Sequence, residues 1–173
     1  ANPEVRFLAS GAGYSLFLND SGAVLALQTA PRSGTAVGEQ FVRMKLGGAD
    51  PAPVISGTGR LPGKTNYFIG NDPHQWRSGV PQFAGVRYES VYPGIDLVFY
   101  GNQGQLEYDF RVAPGSDPSR AELQFDGASQ LELKDGDLVV TAEKKDNAVV
   151  RLRAPQVYQD RGDHRNKITG RFV

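Results

Sequence analysis

Along most of the chain, apolar residues recur at every second position, in short segments that glycine or proline interrupts. Segments 41–46, 95–100 and 106–112 show this alternation most clearly. Successive side chains of a β-strand point to opposite faces, so a period of two predicts half-buried strands. Because the 21 glycines and 11 prolines are spread as punctuation, the sequence predicts an all-β fold. We expect an antiparallel β-sandwich of many short strands, the last at 170–173.

The segment 95–112 has the pattern of a hairpin that turns at Gln103-Gly104. In the favoured register Asp96 lies opposite Arg111. A turn one residue earlier would set Asp96 against Asp109, and directly opposed like charges destabilise a strand pair. The sequence therefore predicts the first register.

Hydrophobic burial decides which face of this hairpin points inward. The apolar members of one face are Ile95, Leu97, Phe99, Phe110 and Val112. Exposing each of them would cost roughly 1.5–3 kcal/mol, whereas an exposed ion pair contributes about 0–1 kcal/mol. Hence Asp96, Glu107 and Asp109 are predicted on the polar face because the apolar residues fix them there.

A second hairpin is predicted about Asp135-Gly136, since this pair separates two alternating segments. Aspartate followed by glycine favours the tight two-residue turn of a hairpin. The resulting register sets Leu131 opposite Val140 and Leu133 opposite Leu138.

The phrase glycine-x-aspartate-proline occurs three times, at 48–51, 70–73 and 115–118. Aspartate is a favoured helix N-cap, and proline suits the first helical position. We therefore expect one helical turn after Asp72 and another after Asp117. The unequal spacing of the three copies indicates reused turn chemistry and not a solenoid repeat.

Composition narrows the class of protein. A chain of 173 residues suits one domain, so 1–173 is predicted to be a single β-sandwich domain. Nineteen basic residues balance nineteen acidic ones, which argues against a nucleic-acid partner. The absence of cysteine excludes disulfides and thiolate metal sites. No apolar run reaches the roughly 20 residues of a membrane-spanning helix.

Candidate binding residues come from the polar face of the first hairpin and from the single tryptophan. They are Trp76, Asp96, Tyr100, Glu107 and Asp109. Paired carboxylates can serve as the acid and base of a glycosidase, and exposed aromatic rings can stack on sugars. The alternative is structural: the acids are the wet side of an ordinary hairpin, and Trp76 packs in the core or covers a sheet edge. The sequence favours the structural interpretation and assigns no catalytic residue.

No metal or cofactor is predicted. His74 and His164 lie far apart and show no metal-ligand spacing. Asp135 and Asp137 resemble a fragment of a calcium loop, but the remaining oxygen ligands are missing. A turn explains that segment better.

Two further motifs are interpreted as chance matches. Gly63-Lys64-Thr65 resembles the end of a phosphate-binding loop, but no glycine stands five positions earlier and a strand is expected to follow. Arg161-Gly162-Asp163 matches an integrin-adhesion tripeptide, yet Gly-Asp is also a common turn pair.

The segments "NYFIGNDPHQW" (66–76), "YPGIDLVFYGN" (92–102) and "LEYDF" (106–110) resemble a bacterial domain of unknown function. That domain lies N-terminal to SBBP-type β-propeller repeats in exported or cell-surface proteins. The similarity runs through most of the chain, and the family has no assigned catalytic residues to carry over. The resemblance implies that 1–173 is the N-terminal module of a longer protein. This module is expected to be extracytoplasmic and β-rich, and its partners to include C-terminal β-propeller-type repeats of the same chain.

Three functions remain open from the sequence. The favoured one is a non-catalytic module for assembly, adhesion or ligand binding, with a glycan or a surface protein as a further partner. The second is a carbohydrate-binding or glycoside-cleaving domain that uses the acidic and aromatic face. The third is a structural cap that shields an exposed sheet edge of the repeats.

Overall fold

The computed structural model describes residues 4–29, 38–143, 148–162 and 164–173. These ranges contain fourteen strands: β1 Phe7–Gly11, β2 Tyr14–Asn19, β3 Gly22–Thr29, β4 Gly38–Gly47, β5 Val54–Tyr67, β6 Arg77–Tyr92, β7 Ile95–Asn102, β8 Gln105–Val112, β9 Glu122–Asp126, β10 Ala128–Lys134, β11 Asp137–Ala142, β12 Val149–Leu152, β13 Val157–Arg161 and β14 His164–Ile168. The helical content of the same ranges is two 3-10 turns, Pro73–Gln75 and Pro118–Arg120.

The strands form four sheets. Their orders are β1-β2-β3-β4-β9, β5-β6-β7-β8, β10-β11-β12 and β13-β14. The registers determined for β1–β2, β5–β8, β10–β12 and β13–β14 are all antiparallel. The prediction of an antiparallel all-β fold with one or two single helical turns is confirmed.

The chain divides into two compact units, and each is described by itself. Unit 1 comprises the described residues of Ala1–Leu25 and Met44–Gln124, and unit 2 those of Ala26–Arg43 and Phe125–Val173. In neither unit does the described chain contain a helix long and apolar enough to cross a membrane.

In unit 1 the four-stranded sheet packs its inner face against the sheet that contains β1 and β2. Tyr88 of β6 is fully buried, and its hydroxyl lies 2.9 Å from the carbonyl oxygen of Asn19 and 3.1 Å from that of Gly22. Phe7 of β1 meets Phe83 of β6 edge to face, with ring centroids 5.9 Å apart. These contacts make the sandwich arrangement that the alternation predicted.

Aromatic rings extend across the inner face of the four-stranded sheet. Tyr88 packs edge to face on Phe99 with centroids 5.7 Å apart, and Phe99 lies 6.1 Å from Tyr108 on the next strand. Leu97 and Ile95 beside them are fully buried. The predicted inward face of the hairpin therefore forms the centre of this core.

The β7–β8 hairpin has the predicted register, including Asp96 opposite Arg111. Gln103 and Gly104 take φ values of +48° and +80°, as the mirror-image turn of a two-residue hairpin requires. Val112 departs from expectation, since 40% of it is exposed although its cross-strand partner Ile95 is buried. Val112 ends an edge strand, so β7 is its only neighbour in the sheet.

The long β5–β6 pair was largely missed from the sequence. Only the short segments 67–69 and 86–88 were predicted as strands there, because the glycines and Pro62 between 57 and 63 indicate turns. In the structure these residues lie inside β5, and the pairing with β6 shifts register between Arg60 and Lys64. The predicted strand at 170–173 is wrong, since the last strand is β14.

Unit 2 is organised around a smaller core. Val42, Val140 and Ala142 are buried, and seven partly buried apolar residues pack against them: Leu27, Phe125, Ala128, Leu138, Ala148, Val150 and Leu152. The predicted β10–β11 register is confirmed, with Leu131 opposite Val140. However, Leu131 and Leu133 are 52% and 54% exposed, because β10 is an edge strand with one neighbour.

Candidate functional site

The outer face of the four-stranded sheet carries the acidic candidates. Directly opposed residues of a strand pair share a face. The β7–β8 register therefore groups Asp96, Val98 and Tyr100 with their partners Arg111, Asp109 and Glu107. Four of the five candidate residues thus belong to one surface, which we call the acidic face: Asp96, Tyr100, Glu107 and Asp109.

Asp96 is held firmly at one end of the acidic face. One oxygen, Oδ2, accepts from Arg87 Nη2 at 2.7 Å and from Arg87 Nε at 3.1 Å. The other, Oδ1, accepts from the backbone N–H of Ser90 at 2.8 Å. Ser90 takes a φ of +50°, and the β6–β7 register shifts around it. This irregular backbone turns the Ser90 N–H toward a side chain.

These contacts shift the ionisation of Asp96. Burial alone would raise its pKa, but the hydrogen bonds from Ser90 and Arg87 and the charges of Arg87 and Arg111 together lower the pKa below its ordinary value. An aspartate of this kind stays ionised and serves as a structural anion. Arg87 was not predicted from the sequence as the partner of Asp96, because the register of β6 against β7 depends on a bulge that no sequence motif indicates.

Tyr100, Glu107 and Asp109 form the other end of the acidic face. The Tyr100 hydroxyl donates to Asp109 Oδ1 at 3.1 Å, and Asn102 Nδ2 donates to Glu107 Oε1 at 2.9 Å. Burial, the negative charges of Asp109 and Glu107, and hydrogen bonding to both raise the pKa of Tyr100 to about 12. The phenol therefore remains a proton donor to its acidic neighbours at neutral pH.

Val98 lies between these two groups and is buried, with only 5% of its surface exposed. Its neighbours across the sheet are Arg87 on β6 and Asp109 on β8. Val98 is thus buried on a face that was predicted from the sequence to be polar. Each acid of this face hydrogen-bonds within its own sheet, as a surface network does.

Trp76 does not join the acidic face. It follows the first 3-10 turn, directly before β6, whereas Tyr100 pairs with Gly85 well along that strand. The eight-residue step from Arg77 to Gly85 amounts to about 26 Å of strand, at about 3.3 Å per residue. Trp76 is 39% exposed and packs on the ring of Phe68, which is itself 60% exposed. The expected burial of Trp76 in a core is not seen.

The remaining motifs occupy separate places. His74 lies in the first 3-10 turn and His164 begins β14. Asp137 binds Arg151 at 2.5 Å and accepts from Ala154 N at 2.7 Å, and these contacts lower its pKa. Among the described residues, no group of three or more histidine or acidic side chains could hold a metal ion.

The two matches to short motifs are also placed. Gly63-Lys64-Thr65 lies within β5, where Lys64 pairs with Pro81, so no helix begins there as a phosphate loop would need. In the adhesion-like tripeptide, Gly162 has a φ of +59° beside the β13–β14 hairpin. Asp163 lies outside the described residues.

Comparison with known proteins gives one match. A family model described as a domain of unknown function (DUF7948) matches residues 1–173. No curated protein and no solved structure matches the chain.

Proposed function

Since the chain belongs to the DUF7948 family along its whole length, we propose that it is a non-catalytic interaction module, with no turnover of its own. The module acts in an extracytoplasmic protein, secreted or on the cell surface, where it precedes β-propeller-type repeats. Its role is assembly, adhesion or ligand binding. The resemblance of 66–76, 92–102 and 106–110 to repeat-associated bacterial domains supports this context.

The state of the acidic face is the observation that carries the non-catalytic role. Asp96 is neutralised by Arg87, Asp109 accepts from Tyr100, and Glu107 accepts from Asn102. A catalytic pair needs one carboxyl with a raised pKa beside one that stays ionised. Burial opposes ionisation of Asp96, but its hydrogen bonds to Ser90 and Arg87 and the nearby arginine charges lower its carboxyl pKa below the ordinary value. That direction suits a structural anion.

Deletion from the parent protein tests the role. Deleting residues 1–173 from the parent protein should abolish its surface display or partner binding. Every enzymatic turnover of the parent protein should stay unchanged. A matched strain carrying Asp20→Asn, which alters an exposed ion pair with Arg6, controls for handling. Unchanged display and binding after the deletion would contradict the proposal.

A glycan role is the second candidate, and the Tyr100–Asp109 hydrogen bond favours it. This exposed end of the acidic face offers both donors and acceptors, as sugar hydroxyls require. A polysaccharide screen should compare the parent with Glu107→Gln and Asp109→Asn. Turnover or binding that both variants lose would establish the glycan role, and equal signals in all three proteins would end it.

A further inference from the structure

The loop between β5 and β6 exposes large apolar side chains. Phe68 is 60% exposed, Ile69 is 74% exposed and Trp76 is 39% exposed. We call these three residues the apolar tip. Adjacent exposed apolar residues on a soluble protein mark an interaction site more often than single scattered ones do. The apolar tip therefore needs a partner, and the acidic face is too distant along β6 to share it.

The apolar tip is held in place by its own loop. Phe68 and Trp76 pack edge to face, with ring centroids 5.2 Å apart and planes at 69°. Trp76 Nε1 donates to the carbonyl oxygen of Gly70 at 3.2 Å, and Trp76 N donates to Pro73 O at 3.1 Å. The indole N–H is thus satisfied within the loop. The ring can leave water without losing a hydrogen bond.

The arm that carries the apolar tip is positively charged. Between residues 64 and 77, two cations, Lys64 and Arg77, stand against one anion, Asp72, which gives 2 − 1 = +1 in a chain of net charge zero. Asp72 is occupied by its own turn, since it accepts from His74 N at 3.0 Å and from Gln75 Nε2 at 3.3 Å. Arg60 and Lys64 also line an open surface depression of about 340 Å³.

From this geometry we propose that the apolar tip inserts into an anionic lipid surface. A loop that presents tryptophan, phenylalanine and isoleucine next to cations matches a bilayer interface, where aromatic rings occupy the headgroup level and basic residues bind anionic lipids. Along the direction of β6, Asp109 and Glu107 lie farther from the apolar tip than the roughly 10 Å over which salt screens exposed charges, so they oppose this contact little. The proposal names a partner for the interaction role above and rests on that role.

Trp76 itself reports the insertion, because it is the only tryptophan of the chain. The purified chain is mixed with vesicles of phosphatidylcholine alone, or of phosphatidylcholine with phosphatidylglycerol. Anionic vesicles should shift Trp76 emission to the blue, allow quenching by brominated acyl chains and sediment the protein. Neutral vesicles should bind much more weakly, and added salt should weaken the anionic binding.

Variants separate the apolar and the electrostatic contributions. Ile69→Ser should lower partitioning about tenfold, because it removes an apolar side chain that insertion into the lipid would bury. Lys64→Gln and Arg77→Gln should each lower partitioning about fivefold, because each removes the attraction between one basic residue and the anionic surface. Leu131→Ser, which alters a half-exposed leucine in unit 2, should leave partitioning unchanged, and Lys134→Gln serves as the cation control.

Three outcomes would overturn the proposal: no blue shift with anionic vesicles, equal binding by the Ile69→Ser and Leu131→Ser variants, or partner-protein capture that Ile69→Ser abolishes without any vesicle binding. The last outcome would assign the apolar tip to a protein. Each leaves the deletion experiment unaffected, so the interaction role and its lipid partner fail separately. Circular dichroism of each variant confirms that the sheets are retained.

Discussion

At the scale of single residues, the glycine-x-aspartate-proline phrase makes the same turn at all three of its positions. Each aspartate accepts a hydrogen bond from the backbone N–H two residues later: Asp50 at 2.9 Å, Asp72 at 3.0 Å and Asp117 at 3.0 Å. The glycine two residues before each aspartate has a positive φ, of +63°, +76° and +82°. The phrase is therefore a local turn unit whose geometry its own residues determine.

Replacing a glycine of this phrase should cost stability through backbone strain alone. Gly115 has a φ of +82°, and a Cβ there would touch nothing within 4 Å. Gly115→Ala should lower the free energy of unfolding by about 1–2 kcal/mol, the cost of a left-handed conformation for an L-residue. Urea denaturation measures the change.

Gly101→Ala is the matched control for this strain. Gly101 also has open space around its Cβ position, but its φ is not in the left-handed region. We expect a change near zero or a small gain. Equal losses of stability in the two variants would contradict the view that the positive φ of Gly115 causes the cost.

Asp96 should make stability depend on acid pH. Its folded-state pKa is below its ordinary value, so its stabilisation is present above the unfolded pKa of about 3.9. That stabilisation is lost as the pH falls from there through the lower folded pKa. At neutral pH, Asp96→Asn should lower the free energy of unfolding by about 1 kcal/mol, and the difference from the parent should shrink below about pH 4.

The control for Asp96 is Asp20→Asn, since Asp20 is 47% exposed and its pair with Arg6 is a surface contact. Exposed pairs contribute about 0–1 kcal/mol. Denaturation curves at several pH values compare the variants. If Asp96→Asn lowered the free energy of unfolding by the same amount at every pH, the charge of Asp96 would not be the source of its stabilisation.

At the scale of elements, the four-stranded sheet owes its stability to its inner face. Leu97 in β7 is completely buried, whereas Leu8 in β1 is 43% exposed. Leu97→Ala should cost about 2–5 kcal/mol, because it removes transfer energy and leaves a cavity. Leu8→Ala should cost well under half as much. Urea unfolding compares them, and similar losses would contradict the assigned inner face.

The same sheet should lose stability in alkali. Burial raises the pKa of Tyr88, Tyr92 and Tyr108, and that of Tyr108 reaches about 12. Burial and nearby acids raise the pKa of Tyr100 to about 12. Because the folded pKa exceeds the unfolded value of about 10, stabilisation is complete below pH 10. It is lost as the pH rises toward about 12.

Phenolate absorbance measures this directly. Four of the seven tyrosines should titrate above pH 10 in the folded protein, and all seven should titrate near pH 10 in denaturant. Tyr108→Phe removes one buried phenol from the sheet. The absorbance titration of the folded variant should therefore show one phenol fewer ionising above pH 10. Identical titrations in buffer and in denaturant would contradict the burial of these phenols.

At the scale of the whole molecule, three strands contribute residues to both compact units. β3, β4 and β9 cross the unit boundaries at 25–26, 43–44 and 124–125. Neither unit can be excised without cutting strands. That 1–173 forms a single domain stays a prediction, and we expect one cooperative transition in calorimetry. Two transitions, each responding to variants in only one unit, would indicate two domains.

Much of the local structure follows from sequence alone. The β7–β8 register, its Gln103-Gly104 turn and the β10–β11 hairpin were all predicted. Both helical turns began after the expected aspartates. These features depend on residues close in the chain, where the alternation of side chains and the φ preference of turn residues leave few alternatives.

The rest required partners that are distant in sequence. The glycines of β5 indicate turns, yet Gly57 lies against the Phe83 ring, with a Cβ position only 2.5 Å from it, so glycine there permits close strand-to-ring packing. Arg87 meets Asp96 because of a bulge at Ser90. For Trp76 the sequence favoured packing in a core or over a sheet edge, with an exposed stacking platform as the alternative. The long β5–β6 pair carries Trp76 to an exposed loop, about 26 Å of strand along β6 from the acids it was grouped with.

Sequence by itself determined the fold class, the two hairpin registers and the outward direction of Asp96, Glu107 and Asp109, because period-two burial is a local property of each strand. Only the tertiary structure decided which residues share a surface. It grouped four candidates on the acidic face and separated Trp76 from them. The physical reason is that contacts between strands depend on register shifts and strand lengths, which the packing of the whole sheet sets.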